Sequence, residues 1–164
     1  MLGNLSGQVA DLIKRWSPNK YSGEAAYQKD LAEFLREELN RGGMFGGHQS
    51  RIPVTREKKR SLIDILVDNN IGIELKYNLR SKSAIDRLMG QIGDHLANMQ
   101  SVIIVLVGNT NSDKLEDLRI RVDRQNNSGG MIGGGQRVIL IDKDHSNENN
   151  NSKGNNSDFF GFGI

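Results

Sequence analysis

Asp64 and the tripeptide Glu74-Leu75-Lys76 are separated by nine residues, and the chain between them has the pattern of a β-hairpin. Within Ser61 to Tyr77, a three-residue loop at Asp68-Asn69-Asn70 pairs Val67 with Ile71, Ile65 with Ile73 and Ile63 with Leu75, which gathers the large apolar side chains on one face. The same register sets Asp64 opposite Glu74 on the other face, with Lys76 two residues further along. A two-residue loop would put Asp64 opposite Leu75 and split the apolar face, so register and chemistry agree. Side by side, two carboxylates repel and raise a pKa unless a cation lies between them. Oxygen-only ligands suit a hard ion such as Mg²⁺, with Mn²⁺ as its substitute, which keeps several waters and takes one or two carboxylates plus substrate phosphates. A lysine beside such an ion can orient or deprotonate a bound water, or support phosphate charge in the transition state. The plainer alternative is a surface salt bridge from Asp64 or Glu74 to Lys76, worth roughly a few tenths of a kcal/mol.

The elements that must position these residues are legible from periodicity. Leu5, Val9, Leu12, Ile13 and Trp16 form one apolar helical stripe, stopped by Ser17-Pro18. It could face a dimer partner or a membrane surface, although packing on its own domain is the simpler expectation. A second helix, Gly23 to Asn40, carries Tyr27, Leu31, Phe34, Leu35 and Leu39 and ends at Gly42-Gly43. Glu24 stands out because it precedes Leu31 by seven residues and so falls on the inward stripe. Strands are expected at His48 to Val54, Leu62 to Val67 and Ile71 to Tyr77. A third helix starts at Ser83, with Asp86 in a capping-box arrangement and a stripe of Ile85, Leu88, Met89, Ile92, Leu96 and Met99. Val102 to Val107 is an unbroken apolar run, as a strand buried on both faces requires. A helix at Asp113 to Arg124 and a strand at Arg137 to Ile141 complete an α/β fold with a mixed sheet, antiparallel at the hairpin and parallel at the end. Asn126 to Gln136 reads as a Gly/Asn-rich loop. Residues 1–143 are expected to form one domain, followed by a disordered Asn/Ser-rich tail over 144–164 that ends in a Phe-rich tip.

Asp64 and Glu74-Leu75-Lys76 on a hairpin, after a helix with an inward Glu24, resemble the PD-(D/E)xK nuclease superfamily, which includes restriction endonucleases, archaeal Holliday junction resolvases and RecB-type exonucleases. The resemblance covers roughly Gly23 to Gly108 and implies a restriction endonuclease-like α-β-β-β-α-β core. It further implies that Asp64, Glu74 and the main-chain carbonyl of Leu75 hold a divalent metal, with Lys76 beside the attacking water. Several branches add an acidic residue from the first core helix, which Glu24 matches. Others carry Gln-x-x-x-Tyr on the helix after the lysine; Gln91 matches the glutamine, and His95 stands where the tyrosine would be. Ile63 replaces the family's proline, which carries no chemistry.

Charge distribution adds a second argument. Among 164 residues, 22 Lys+Arg against 20 Asp+Glu leave only +2, too little to imply nucleic acid by itself. Basic residues nonetheless cluster around the hairpin: Arg51, Arg56, Lys58, Lys59, Arg60, Arg80, Lys82 and Arg87. A basic rim beside a metal site is what phosphodiester cleavage needs, since backbone phosphates supply most of the affinity. Taken alone, Lys58-Lys59-Arg60 is as well explained by a solvated turn. No aromatic residues interleave with these bases, so a stacking platform for single strands is not indicated. His48 and His145 are isolated and read as incidental; His95 stands between helix surface and site edge. The absence of cysteine excludes thiolate zinc sites and a cysteine nucleophile and fits a reducing, cytoplasmic compartment. No stretch reaches the ~18 apolar residues of a membrane span. The expectation is thus a Mg²⁺-dependent DNA nuclease, structure-selective at a junction or branch or of restriction type, acting as a homodimer or within a larger complex. Its rival is a non-catalytic nucleic-acid-binding or adaptor subunit that retains the nuclease fold.

Overall fold

The computed structural model describes residues 4–41, 51–56, 63–128 and 138–144. In chain order the elements are α1 (Leu5–Arg15), α2 (Glu24–Asn40), β1 (Val54–Arg56), β2 (Ile65–Val67), β3 (Ile71–Tyr77), α3 (Lys82–Leu96), β4 (Ser101–Gly108), α4 (Ser112–Ser128) and β5 (Val138–Asp144). The strands form one sheet in the order β1-β2-β3-β4-β5. β1, β2 and β3 pair antiparallel, and β3, β4 and β5 pair parallel, so the sheet is mixed.

Both faces of the sheet are covered, which explains the unbroken run in β4. Ile103, Val105 and Val107 join Ile65, Val67, Ile73 and Leu75 beneath α1 and α2, in a core that includes Val9, Ile13, Trp16, Tyr27, Leu31 and Leu35. Alternate residues Val102, Ile104 and Leu106 face the other way, against Ile85, Leu88 and Ile92 of α3 and Leu118 and Val122 of α4. Period-two alternation along a strand fed by two helix layers makes every position apolar. The stripe of α1 therefore packs on its own domain, with Trp16 only 2% exposed.

The hairpin follows the expected register at Val67↔Ile71 and Ile65↔Ile73. Asp68 and Asn69 take positive φ of 50° and 55°, left-handed positions that Asp and Asn tolerate better than most residues. The ladder then stops, and the expected pairing of Ile63 with Leu75 does not form. Ile63 instead crosses to the α3 side, where a Cβ on Gly72 would lie 2.5 Å from its Cδ1 and 2.6 Å from Met99 Sδ. Only a glycine leaves room for both side chains over the strand.

Several boundaries differ from the sequence reading for identifiable reasons. β1 begins at Val54 and not at His48, because Pro53 offers no N–H to a ladder. Ahead of it, the Asn40 amide takes the strand's place: Ile52 N donates to Asn40 Oδ1 (2.9 Å) and Asn40 Nδ2 donates to Ile52 O (3.2 Å). Ser81, not Ser83, caps α3, accepting from Ala84 N at 3.2 Å. α4 continues to Ser128, so Asn126 is helical and clamps Val138 through two bonds of 2.9 Å. β5 runs through Asp144, one residue past the expected end of the domain. The 144–164 tail beyond Asp144, Gly42-Gly43, His48, His145 and the Lys58-Lys59-Arg60 run lie outside the described residues.

Candidate functional site

Because β2 covers β3 only as far as Ile73, the last residues of β3 have no ladder partner on that side among the described residues and present an open edge. Asn78 N donates to Val107 O of β4 at 3.0 Å, so by alternation Leu75 and Tyr77 direct their backbone groups to the side that β2 has left. Two carboxylates occupy that side. Asp64 Oδ2 accepts from Leu75 N at 2.8 Å, and Glu24 Oε2 accepts from Tyr77 N at 3.2 Å. Each acid is oriented through one oxygen, and the other Glu24 oxygen, Oε1, accepts from Gln28 Nε2 at 3.5 Å on the side facing Lys76. Since the C=O of a strand residue points with its N–H, the Leu75 carbonyl faces the same edge.

Glu24 is able to reach because it is the first residue of α2, whose next turn is pinned by aromatic packing. The Tyr27 ring stacks on Tyr77 with centroids 5.6 Å apart, and Tyr21 meets Tyr27 edge-on at 5.0 Å. Gly108, at φ +84°, leaves space for this: a Cβ there would lie 2.8 Å from the Tyr77 ring.

Lys76 is the centre of the cluster. Its Nζ lies 3.2 Å from Glu74 Oε2 and 4.0 Å from Glu24 Oε1. From α3, His95 Nε2 lies 3.1 Å from Glu74 Oε1. Glu74 is 1% exposed, against 22% for the side chain of Lys76 and 38% for that of Glu24, so the site is sealed at Glu74 and opens toward the lysine and the helix-borne acid.

Burial, and then the neighbouring Asp64 charge, push the Glu74 carboxyl up to about 7, with Lys76 opposing. Burial also raises Glu24, against Lys76 and the Tyr77 N–H. For Lys76 burial acts to lower the pKa, but Glu74, Glu24 and Asp64 together outweigh it, and the ammonium stays protonated. Three carboxylates against one ammonium leave two negative charges uncompensated when all are ionised. A bound divalent cation would offset that charge.

Among the described residues, no three His, Cys, Asp or Glu side chains converge as a ready-made metal cage. The donor set nonetheless fits a Mg²⁺-type ion, which takes one or two carboxylates, a carbonyl and waters and completes its shell with substrate phosphate. Asp64, Glu74 and the Leu75 carbonyl are the groups able to hold it, with Glu24 opposite.

The structure thus brings Glu24, Asp64, Glu74 and Lys76 together from three separate segments. Gln91 is half-buried on α3, one turn before His95. No hydrogen bond joins Gln91 to the carboxylates, so the structure does not bring it into the cluster. Arg56 lies at the end of β1 opposite Ile65, while Arg80 and Lys82 are exposed just beyond β3, at the same end of the sheet as Lys76. Arg51 and Arg87 are exposed. His95 is the residue that sequence reasoning left undecided. Its position seven residues after Leu88 and three after Ile92 places it on the inward stripe, and that spacing was the available signal.

Comparison with known proteins finds no significant match among family models, curated proteins or solved structures.

Proposed function

We propose that this protein is a divalent-metal-dependent nuclease that hydrolyses DNA phosphodiesters on a restriction endonuclease-like, PD-(D/E)xK-type core. The observation that carries the reading is the meeting of Asp64, Glu74 and Glu24 around Lys76 at the open edge of β3. A surface salt bridge needs no such device, because it neither buries a carboxylate to 1% exposure nor recruits an acid from another helix.

When bound, Mg²⁺ supplies Lewis acidity at the phosphate oxygen and lowers the pKa of water. The chain's own groups do the rest. Asp64 and Glu24, fixed by backbone N–H donors, hold oxygens toward the site. Lys76, kept protonated by its carboxylates, orients a water for attack on phosphorus and stabilises the charge growing on the phosphoryl oxygens. Arg56, Arg80 and Lys82 hold the phosphodiester backbone over the edge. Phosphate contacts of this kind fix the position of DNA without reading its sequence, so selectivity for DNA shape, a junction or branch, fits this reading.

A second reading draws on the same burial: Glu74, engaged by both Lys76 and His95, suits a non-catalytic subunit that keeps the fold. A nicking assay on plasmid, branched and single-stranded DNA with Mg²⁺ separates the two. Cleavage that Lys76→Ala abolishes supports the nuclease. Binding without cleavage supports the subunit.

A further inference from the structure

We propose that His95 is the positioning residue for Glu74, acting from the α3 layer to aim the Glu74 carboxylate at the metal's seat; its consequence for cleavage rests on the nuclease reading. Glu74 leaves β3 on the face covered by α3, away from the α2 layer that supplies Glu24. Its carboxylate is divided between two partners. Oε1 meets His95 Nε2 at 3.1 Å, and Oε2 meets Lys76 Nζ at 3.2 Å. With Nε2 protonated the ring donates, and the carboxylate plane is fixed by one donor at each oxygen.

The ring is itself held firmly. His95 is 5% exposed, so water does not compete for its Nε2–H. Its carbonyl accepts from Asn98 N at 3.0 Å and Met99 N at 2.9 Å, closing the end of α3, and Met99 packs where Gly72 lacks a Cβ. Gln100 N donates to Asn70 O at 2.9 Å, which ties the end of the helix to the hairpin loop. His95 therefore stands on a frame that is rigid relative to β3. Without its donor, Glu74 is free to turn both oxygens onto Lys76 and away from Asp64, which repels it. An apolar side chain would fill this place on the stripe without desolvating a ring nitrogen. The acceptor that the ring meets accounts for its polarity.

The test uses the full-length protein and Mn²⁺ binding by titration calorimetry without nucleic acid. His95→Phe keeps a ring and removes the donor; His95→Gln keeps a donor and removes the ring. A positioning role predicts that His95→Phe weakens Mn²⁺ binding by about 10–100-fold, the usual effect of losing a partner of a metal ligand, while His95→Gln stays within a few-fold of the parent. In cleavage, His95→Phe should raise the Mg²⁺ concentration for half-maximal rate and leave the rate at saturating Mg²⁺ nearly unchanged. Should His95→Phe not melt cooperatively, His95→Met takes its place. If parent and His95→Phe bind Mn²⁺ equally, or His95→Gln loses as much as His95→Phe, the positioning role is wrong and the nuclease reading stands. If the parent neither binds Mn²⁺ nor cuts DNA, the nuclease reading falls, and the role of His95 falls with it.

Discussion

Replacing Glu74 by glutamine should change how stability depends on pH, with a sign that the site dictates. In the folded protein the Glu74 carboxyl is pushed from 4.5 to about 7, first by burial and then by Asp64. A raised acid binds its proton more tightly folded than unfolded. Its stabilising contribution is therefore complete below about pH 4.5 and is lost as pH rises through about 7. The difference of about 2.5 units corresponds to roughly 3 kcal/mol between the ends of that window. Glutamine is neutral throughout and can still accept from His95 or Lys76. Plotted against pH, the stability difference between parent and Glu74→Gln should move by roughly 3 kcal/mol in favour of the variant from pH 4.5 to 8, and other titrating groups largely cancel in that difference. For a chain of this size roughly 2–4 °C accompanies each kcal/mol, so the relative shift in Tm is about 6–12 °C. Mg²⁺ at pH 8 should act oppositely. It should stabilise the parent by about 2.7 kcal/mol at one hundred times its dissociation constant, and leave Glu74→Gln unmoved. Thermal melts of both proteins across pH, with and without Mg²⁺, measure all of this. A pH-independent difference, or an equal Mg²⁺ shift in the two proteins, would refute the account of Glu74 as a buried acid awaiting a cation.

Further outcomes rest on other parts of the structure. Lys76→Ala should abolish cleavage yet retain a Mg²⁺-induced rise in Tm, because the ammonium serves water and phosphate and not the ion; loss of both, read by melting and nicking assays, would place the lysine in metal binding instead. Replacing Arg80 and Lys82 together by alanine should flatten the dependence of log DNA affinity on log salt by up to about 0.9 for each phosphate no longer neutralised, measured by fluorescence anisotropy at several ionic strengths. Asn126→Ala should destabilise the fold by roughly 1–3 kcal/mol in urea unfolding, because it strips both partners from the backbone of Val138, which is fully buried. Gly108→Ala should cost roughly 1–3 kcal/mol through its positive φ, and it should lower activity as well by displacing the Tyr77 ring that orders the edge next to Glu24.

Much of this organisation is legible in the sequence, and the departures have physical causes. The hairpin loop, the inward Glu24 and the doubly buried β4 follow from periods of two and 3.6, which depend only on backbone geometry. Periodicity does not locate where a ladder ends, because a side chain can replace a backbone partner. Asn40 does so for Ile52, just ahead of β1, where the pattern alone would extend the strand. Ser81 and Ser83 are equally good caps by composition; the extended backbone of Ser81, which aims its Oγ at Ala84 N, decides between them.

The most informative departure lies at Asp64. Strict hairpin pairing would have continued Ile63 against Leu75 and used the β3 edge for backbone hydrogen bonds. Instead β2 stops at Ile65, Ile63 crosses the sheet to cover Gly72, and the Asp64 carboxylate takes the Leu75 N–H. The same withdrawal leaves the Tyr77 N–H for Glu24. A continued ladder would satisfy both donors with carbonyls, and neither acid would be held where it now stands. The strand is given up where the carboxylates gather, so the irregularity that defeats a pattern-based pairing is also what assembles the site.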